Sequence, residues 1–323
     1  MSNKYLIRGA VVAVAVLAVL LVALTPPQLK RDGVAPQLPA NIDAYLQASE
    51  AAAAKTFPLI ADTEKRIRWQ TPGERSDYVV IYLHGFSATR QEIAPVPELV
   101  ADSLHANLYE TRLTGHGRSY GAMLETSAED WLDDAAEALA IGNMLGERIV
   151  LIGTSTGATL ALAMNGHPLM ERVDSIVLIS PNMGPRDAAA QWLTRPAGPL
   201  IAQLMVGDTR SWTAHNSEQQ RYWSTSYPTA ALVEVMRLVR RAEKAIRTPL
   251  DAQVLMLLSQ YDAVISPAAA ETAFRRIDAT YKHLVDIKGV GDPSNHVLAG
   301  RILSPHTSNE TALLISEFVK ATH

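Results

Sequence analysis

Apolar positions along this chain fall into two alternating patterns. Short, nearly unbroken apolar runs occur at residues 78–83, 149–152, 176–179, 253–258 and 284–287, with shorter strand-like stretches at 65–70 and 107–111. Unbroken runs rich in Val and Ile are what strands buried on both faces look like. Between them lie stretches with helical spacing at 42–55, 92–104 and 307–320. Another spans 127–145 and places Trp131, Leu132, Ala135, Leu139 and Leu145 on one face. Ser127, three residues before Asp130, nearly matches a capping box and predicts where that helix starts. Strands alternating with helices predict right-handed β-α-β units, a mostly parallel sheet and helices over both faces.

One stretch interrupts the alternation. Residues 184–249 contain no core strand and hold three of the five tryptophans, Trp192, Trp212 and Trp223, followed by a basic helix at 236–247. This reads as an insertion forming a cap. Its tryptophans are candidate substrate-binding residues, since buried aromatic rings lining a cleft suit an apolar group.

At the N-terminus, Lys4 and Arg8 precede an uninterrupted apolar run over residues 9–24, closed by Thr25-Pro26-Pro27. The run falls between a signal-peptide core and a full membrane span in length. Neither a clean A-x-A cleavage site nor a lipid-accepting Cys follows. The expectation is an uncleaved, single-pass signal anchor with the catalytic domain outside the cytoplasm. The alternative is a cleaved signal and a secreted or periplasmic protein. Residues 28–39, with Pro36 and Pro39, read as a linker. The chain thus divides into an N-terminal segment, 1–40, and a folded domain, 41–323. In the 323 residues, 48% are hydrophobic, 19% are charged and the net charge is −4, which excludes a basic nucleic-acid surface. With no cysteine there is no disulfide, thiolate metal site or Cys nucleophile.

The chemistry centres on Gly153-Thr154-Ser155-Thr156-Gly157, a G-x-S-x-G between the run at 149–152 and an Ala/Leu-rich helical stretch. Strand, sharp turn and helix are the setting in which this motif exposes a serine hydroxyl as a nucleophile. A serine needs a base, usually a His oriented by a carboxylate, and on such a sheet the acid and then the base follow it in sequence. Asp262 stands just past the run at 253–258, and His296 lies in the Gly-rich loop after 284–287. Asp251 and His283 precede their strands, Asp286 lies within one, and His306 sits beside the final helix. Asp292 is close to His296 in sequence and is second choice as the acid. The oxyanion donors expected are the N–H groups of Thr156 and of Phe86, in the loop after residue 83. His84 and His116 read as structural loop residues. No H-E-x-x-H, G-x-G-x-x-G or P-loop occurs, so no metal or nucleotide cofactor is expected.

His84-Gly85-Phe86, Gly115-His116-Gly117-Arg118-Ser119, the G-x-S-x-G, Asp262-Ala263-Val264-Ile265-Ser266-Pro267 and His296-Val297-Leu298 together resemble the α/β-hydrolase family. They look most like its carboxylesterase, monoacylglycerol lipase and lysophospholipase branch. The resemblance runs from about residue 65 to the C-terminus. It implies an eight-stranded, mostly parallel sheet with a helical cap, and a cofactor-free esterase acting on a small ester or lipid-like substrate. Ser155 would be the nucleophile, Asp262 the acid, His296 the base, and Phe86 and Thr156 the oxyanion donors. An amidase, peptidase or acyltransferase on the same triad stays open, as does a non-catalytic binding protein of this fold. The chain departs from the family pattern before Gly-His-Gly, where Thr111-Arg112-Leu113-Thr114 stands in place of the frequent Asp or Arg.

Overall fold

The computed structural model describes residues 3–24, 29–186, 203 and 207–321. Its centre is a sheet of seven strands among the described residues, in the order β1-β3-β2-β4-β5-β8-β9. The strands are β1 (Arg66–Arg68), β2 (Ser76–Leu83), β3 (Asn107–Glu110), β4 (Gly146–Thr154), β5 (Val173–Ile179), β8 (Gln253–Leu258) and β9 (Lys282–Asp286). All neighbouring pairs are parallel except β1 with β3. The eight strands implied by the resemblance are therefore seven in this region. Each strand predicted from an apolar run is present, with edges displaced by a few residues.

The side-chain period of a strand sorts these residues into two cores. On one face Val79, Ile81, Leu151, Ile176 and Met256 pack under α2 (Ile42–Thr56), α4 (Ala128–Leu145) and α5 (Thr156–Ala163). On the other, Val80, Ile152, Val177 and Leu255 pack under α3 (Val96–Leu104) and α9 (Ser308–Ala321). Both faces being covered is why the sequence shows unbroken apolar runs rather than alternation. The predicted capping box forms at the head of α4. The Ser127 hydroxyl accepts from the Asp130 N–H at 3.3 Å, and the Asp130 carboxylate accepts from the Ser127 N–H at 2.9 Å. α3 starts at Val96 rather than residue 92, because Pro95 takes the N-cap and Pro97 sits in the first turn, where its missing N–H costs nothing.

The cap region contributes a hairpin of β6 (Thr209–Ser211) and β7 (Ser226–Pro228), the short α6 (Ser217–Tyr222) and the long α7 (Thr229–Ala245). α8 (Pro267–Arg276) follows β8. Trp192 lies outside the described residues.

The N-terminal region differs from expectation in its linker. α1 (Asn3–Leu24) is helical, but its described side chains are Arg8, residues 10–18 and Leu20. Among the described residues no helix is long and apolar enough to cross a membrane. The expected linker, in turn, is a strap packed on the domain. Lys30 N–H donates to Glu129 at 3.2 Å and Val34 N–H to Asp133 at 2.8 Å, while Arg31 pairs with Asp133 at 2.7 Å and Asp32 with Arg241 at 2.8 Å. Gly33, at φ 99°, crosses α4 so closely that a Cβ would lie 2.6 Å from the Leu132 carbonyl oxygen. Glu129 and Asp133 of α4 and Arg241 of α7, which receive these contacts, lie far away in sequence, so local composition alone reads the segment as loose.

Candidate active site

β4 ends at Thr154 and α5 begins at Thr156, leaving Ser155 alone to make the turn. It does so at φ 51°, ψ −114°, a conformation that non-glycine residues rarely adopt. The flanking glycines have a direct steric cause. A Cβ at Gly153 would lie 2.6 Å from the Ala158 backbone, and one at Gly157 would lie 2.1 Å from the Leu83 carbonyl oxygen. The turn is fixed from below, with Ser155 N–H donating to the Ile179 carbonyl at 2.8 Å and Asn182 N–H donating to the Ser155 carbonyl at 3.2 Å. Every residue of α5 is buried, so the helix under the serine cannot shift.

Asp262 and His296 meet as expected. His296 Nδ1 lies 2.7 Å from Asp262 Oδ2. The other oxygen, Oδ1, accepts from the N–H groups of Val264 and Ile265 at 2.8 and 2.9 Å. Those two bonds fix the carboxylate, so Nδ1 is the protonated ring nitrogen and Nε2 is left to face the cavity. Burial alone would push the His296 imidazole down, but the Asp262 charge and hydrogen bond, with Glu92 and Asp292 behind them, raise it above the ordinary value.

Asp292 is not a rival for this role. Its Oδ2 accepts from the N–H groups of His296 and Val297 at 3.0 and 2.9 Å and from the Ser294 hydroxyl at 2.6 Å. It shapes the loop that carries the histidine. Ser180 completes this support by donating its hydroxyl to the His296 carbonyl at 2.8 Å. His306 is exposed in the turn before α9, and His283 is exposed on β9.

Ser155, Thr156, Phe86 and His296 line one cavity of about 400 Å³. The loop bearing Phe86 is held by residues that sequence inspection treated as structural. His84 Nε2 accepts from the Leu113 N–H at 3.0 Å, so its Nδ1 donates to the Gly85 carbonyl at 2.9 Å. Burial drives both His84 and His116 below the usual imidazole range, His116 to about 4, so both stay neutral. His116 packs edge-on against Phe86 at 5.7 Å, and its Nδ1 lies 3.0 Å from the Thr114 carbonyl.

Glu92 was missed by the sequence reading. It is buried on the cavity wall, and its Oε2 accepts from the Gly85 N–H at 2.7 Å and the Tyr82 hydroxyl at 3.0 Å. Burial raises its carboxyl above the usual range. A charged residue in a run with no other motif gives no sequence signal. Only the tertiary approach of Gly85, where a Cβ would sit 2.7 Å from Glu92, marks it.

Described residues of the cap form part of the cavity wall. Trp212 and Trp223 line the cavity, as the sequence reading proposed, beside Leu232, Val235 and Met236 of α7. The cap is tied to the loop of Phe86 by the Ser224 N–H, which donates to the Ser87 carbonyl at 2.7 Å, and by Tyr227, whose ring meets Phe86 edge-on at 4.9 Å.

Sheet order, serine turn and the cavity they share define the class as an α/β-hydrolase. The chain belongs to the Hydrolase_4 family (serine aminopeptidase, S33), whose model matches residues 74–291. It is 26% identical over 209 residues to a thermostable monoacylglycerol lipase from Bacillus sp. (strain H-257), covering 65% of this chain and 80% of that one. Among solved structures it is similar to a chain described with LipS and LipT, two metagenome-derived lipolytic enzymes. That match has TM-score 0.65 and 18% identity, over 81% of this chain and 99% of the other. It is also similar to the Paleococcus ferrophilus monoacylglycerol lipase, with TM-score 0.60 and 16% identity, over 80% and 98% of the two chains.

Proposed function

We propose that the protein hydrolyses carboxylic esters through an acyl-enzyme, with Ser155 as nucleophile, His296 as base and Asp262 as the orienting acid. The observation that carries this reading is the strained Ser155 turn opening into the same cavity as the Asp262-held imidazole. Ser155 Oγ attacks the ester carbonyl while His296 Nε2 takes its proton. The developing oxyanion accepts from the Phe86 and Thr156 N–H groups, the second at the start of α5. The imidazolium, stabilised by Asp262, then protonates the leaving alcohol. Water, activated by the same nitrogen, releases the acid. The relatives' descriptions as monoacylglycerol lipases favour a lipid-like ester, and the apolar wall of α7 suits an acyl chain.

A panel of p-nitrophenyl esters of rising chain length, run beside a p-nitroanilide, tests the reaction class. Turnover of esters with graded chain-length preference is expected. Faster turnover of the anilide would move the activity to amide cleavage, which the family's aminopeptidase description makes the reading to compare.

We infer also that residues 1 to about 39 tether the domain at a membrane, outside the cytoplasm. Exposed Val11, Val12, Val14, Val16 and Leu17 on α1, with Lys4 and Arg8 before the apolar run, support this. Cell fractionation with N-terminal sequencing tests it. A mature chain starting near Thr25 would mean secretion, and an intact cytosolic chain would refute both.

A further inference from the structure

The cavity has a cationic rim that ester chemistry does not use. Arg210, on β6, lines the cavity together with His215. Arg210 is exposed, and its register partner across the β6–β7 hairpin is Tyr227, whose phenol feels the guanidinium charge. Tyr227 is buried and packs on Phe86, so the ring opposite Arg210 also backs the loop of the proposed oxyanion donor. Two other arginines of the cap are neutralised, Arg221 by Asp62 and Arg237 by Glu129 and Glu234. The residue facing Arg210 across the hairpin is a phenol, not a carboxylate. The two carboxylates on the cavity wall do not fill that role. Glu92 is bound to Gly85 and Tyr82, and Asp292 to the loop of His296.

A cavity that combines the serine, an apolar wall from α7 and a guanidinium at its rim suits an amphiphile with an anionic end. We propose that Arg210 binds an anionic oxygen group, a carboxylate or a phosphate, carried by the substrate away from the scissile ester. Guanidinium is the cation best matched to such planar or forked oxygens. The inference deepens the ester-hydrolase reading by naming a charge on its substrate, and it rests on that reading for the word substrate.

The test is a binding measurement that needs no turnover. Ser155→Ala protein is titrated with octyl phosphate, octanoate and the uncharged octyl glyceryl ether, using the fluorescence of Trp212 and Trp223 in the cavity. At low salt at least one anion is expected to bind about tenfold more tightly than the ether, a preference that shrinks as salt rises. Adding Arg210→Gln should erase the preference and leave the ether's Kd unchanged, with Arg210→Lys retaining part of it. Loss for both anions assigns a general anion subsite, and loss for one alone names that chemistry. Equal Kd values for all three ligands, no response to any, or a preference that survives Arg210→Gln would overturn the proposal. A parent enzyme that turned over no ester would refute the reaction class while leaving this result standing.

Discussion

The floor of the cavity and its roof are built on opposite principles. The floor is parallel-sheet edge. Ser155 and Asp262 sit just past strands and His296 in the loop after β9; all three are almost wholly buried, with backbones pinned by hydrogen bonds from neighbouring strands and loops. Among the described residues the roof is a two-stranded hairpin, the short α6 and the amphipathic α7, joined to the floor by the Ser87–Ser224 bond and by the contact of Tyr227 with Phe86. Reaction chemistry needs positions fixed within fractions of an ångström, which a buried sheet supplies. Substrate choice needs a surface that can vary, which a peripheral insertion supplies. Changes in the floor should therefore strike kcat, and changes in the roof should redistribute kcat/KM among substrates.

The largest effect should come from His296→Ala, which removes the proposed base and lowers kcat by at least about 10³-fold. His306→Ala, on an exposed turn, should leave kcat unchanged, and equal losses in both would break the assignment. Next is Asp262→Asn, expected to cost up to about 10⁴-fold because the amide favours the wrong imidazole tautomer. Matching thermal melts would separate that loss from unfolding.

The pH profile sharpens the same contrast. His296 works only when neutral, and its folded value is raised. Wild-type kcat/KM should thus fall on acidification with a midpoint above the ordinary imidazole value of about 6.5. Glu92→Gln removes a charge that raises His296, so the midpoint should move to lower pH, while kcat drops only about threefold since the Gly85 N–H keeps an acceptor. Glu92→Ala, which leaves that N–H unpaired, should cost more. An unmoved midpoint would show that Glu92 only fills space.

The sheet, the helices on its two faces and the meeting of Asp262 with His296 were legible because each rests on local pattern. Apolar runs mark the strands, a five-residue turn motif demands Gly153 and Gly157, and both site residues follow strand ends. What was hidden depends on contacts across the chain. Glu92 acts through Gly85 and Tyr82, Asp292 had seemed a spare carboxylate until its backbone partners were seen, and the strap at residues 29–39 owes its order to α4, some hundred residues on. The rim formed by Arg210 and Tyr227 depends on a hairpin too short to show an alternating pattern.

Smallest among the expected effects are those in the roof. Trp212→Ala and Trp223→Ala should shift the chain-length profile of kcat/KM by a few fold, each methylene of fit being worth about 1 kcal/mol. Uniform scaling of all substrates would make these rings packing residues of the cap.

The most direct test of the central claim is covalent. Full-length protein treated with a fluorophosphonate and mapped by peptide mass spectrometry should carry one adduct, on Ser155. Ser155→Ala should take up none while melting at the wild-type temperature. An adduct on another serine, or ester turnover that persists in Ser155→Ala, would contradict the account.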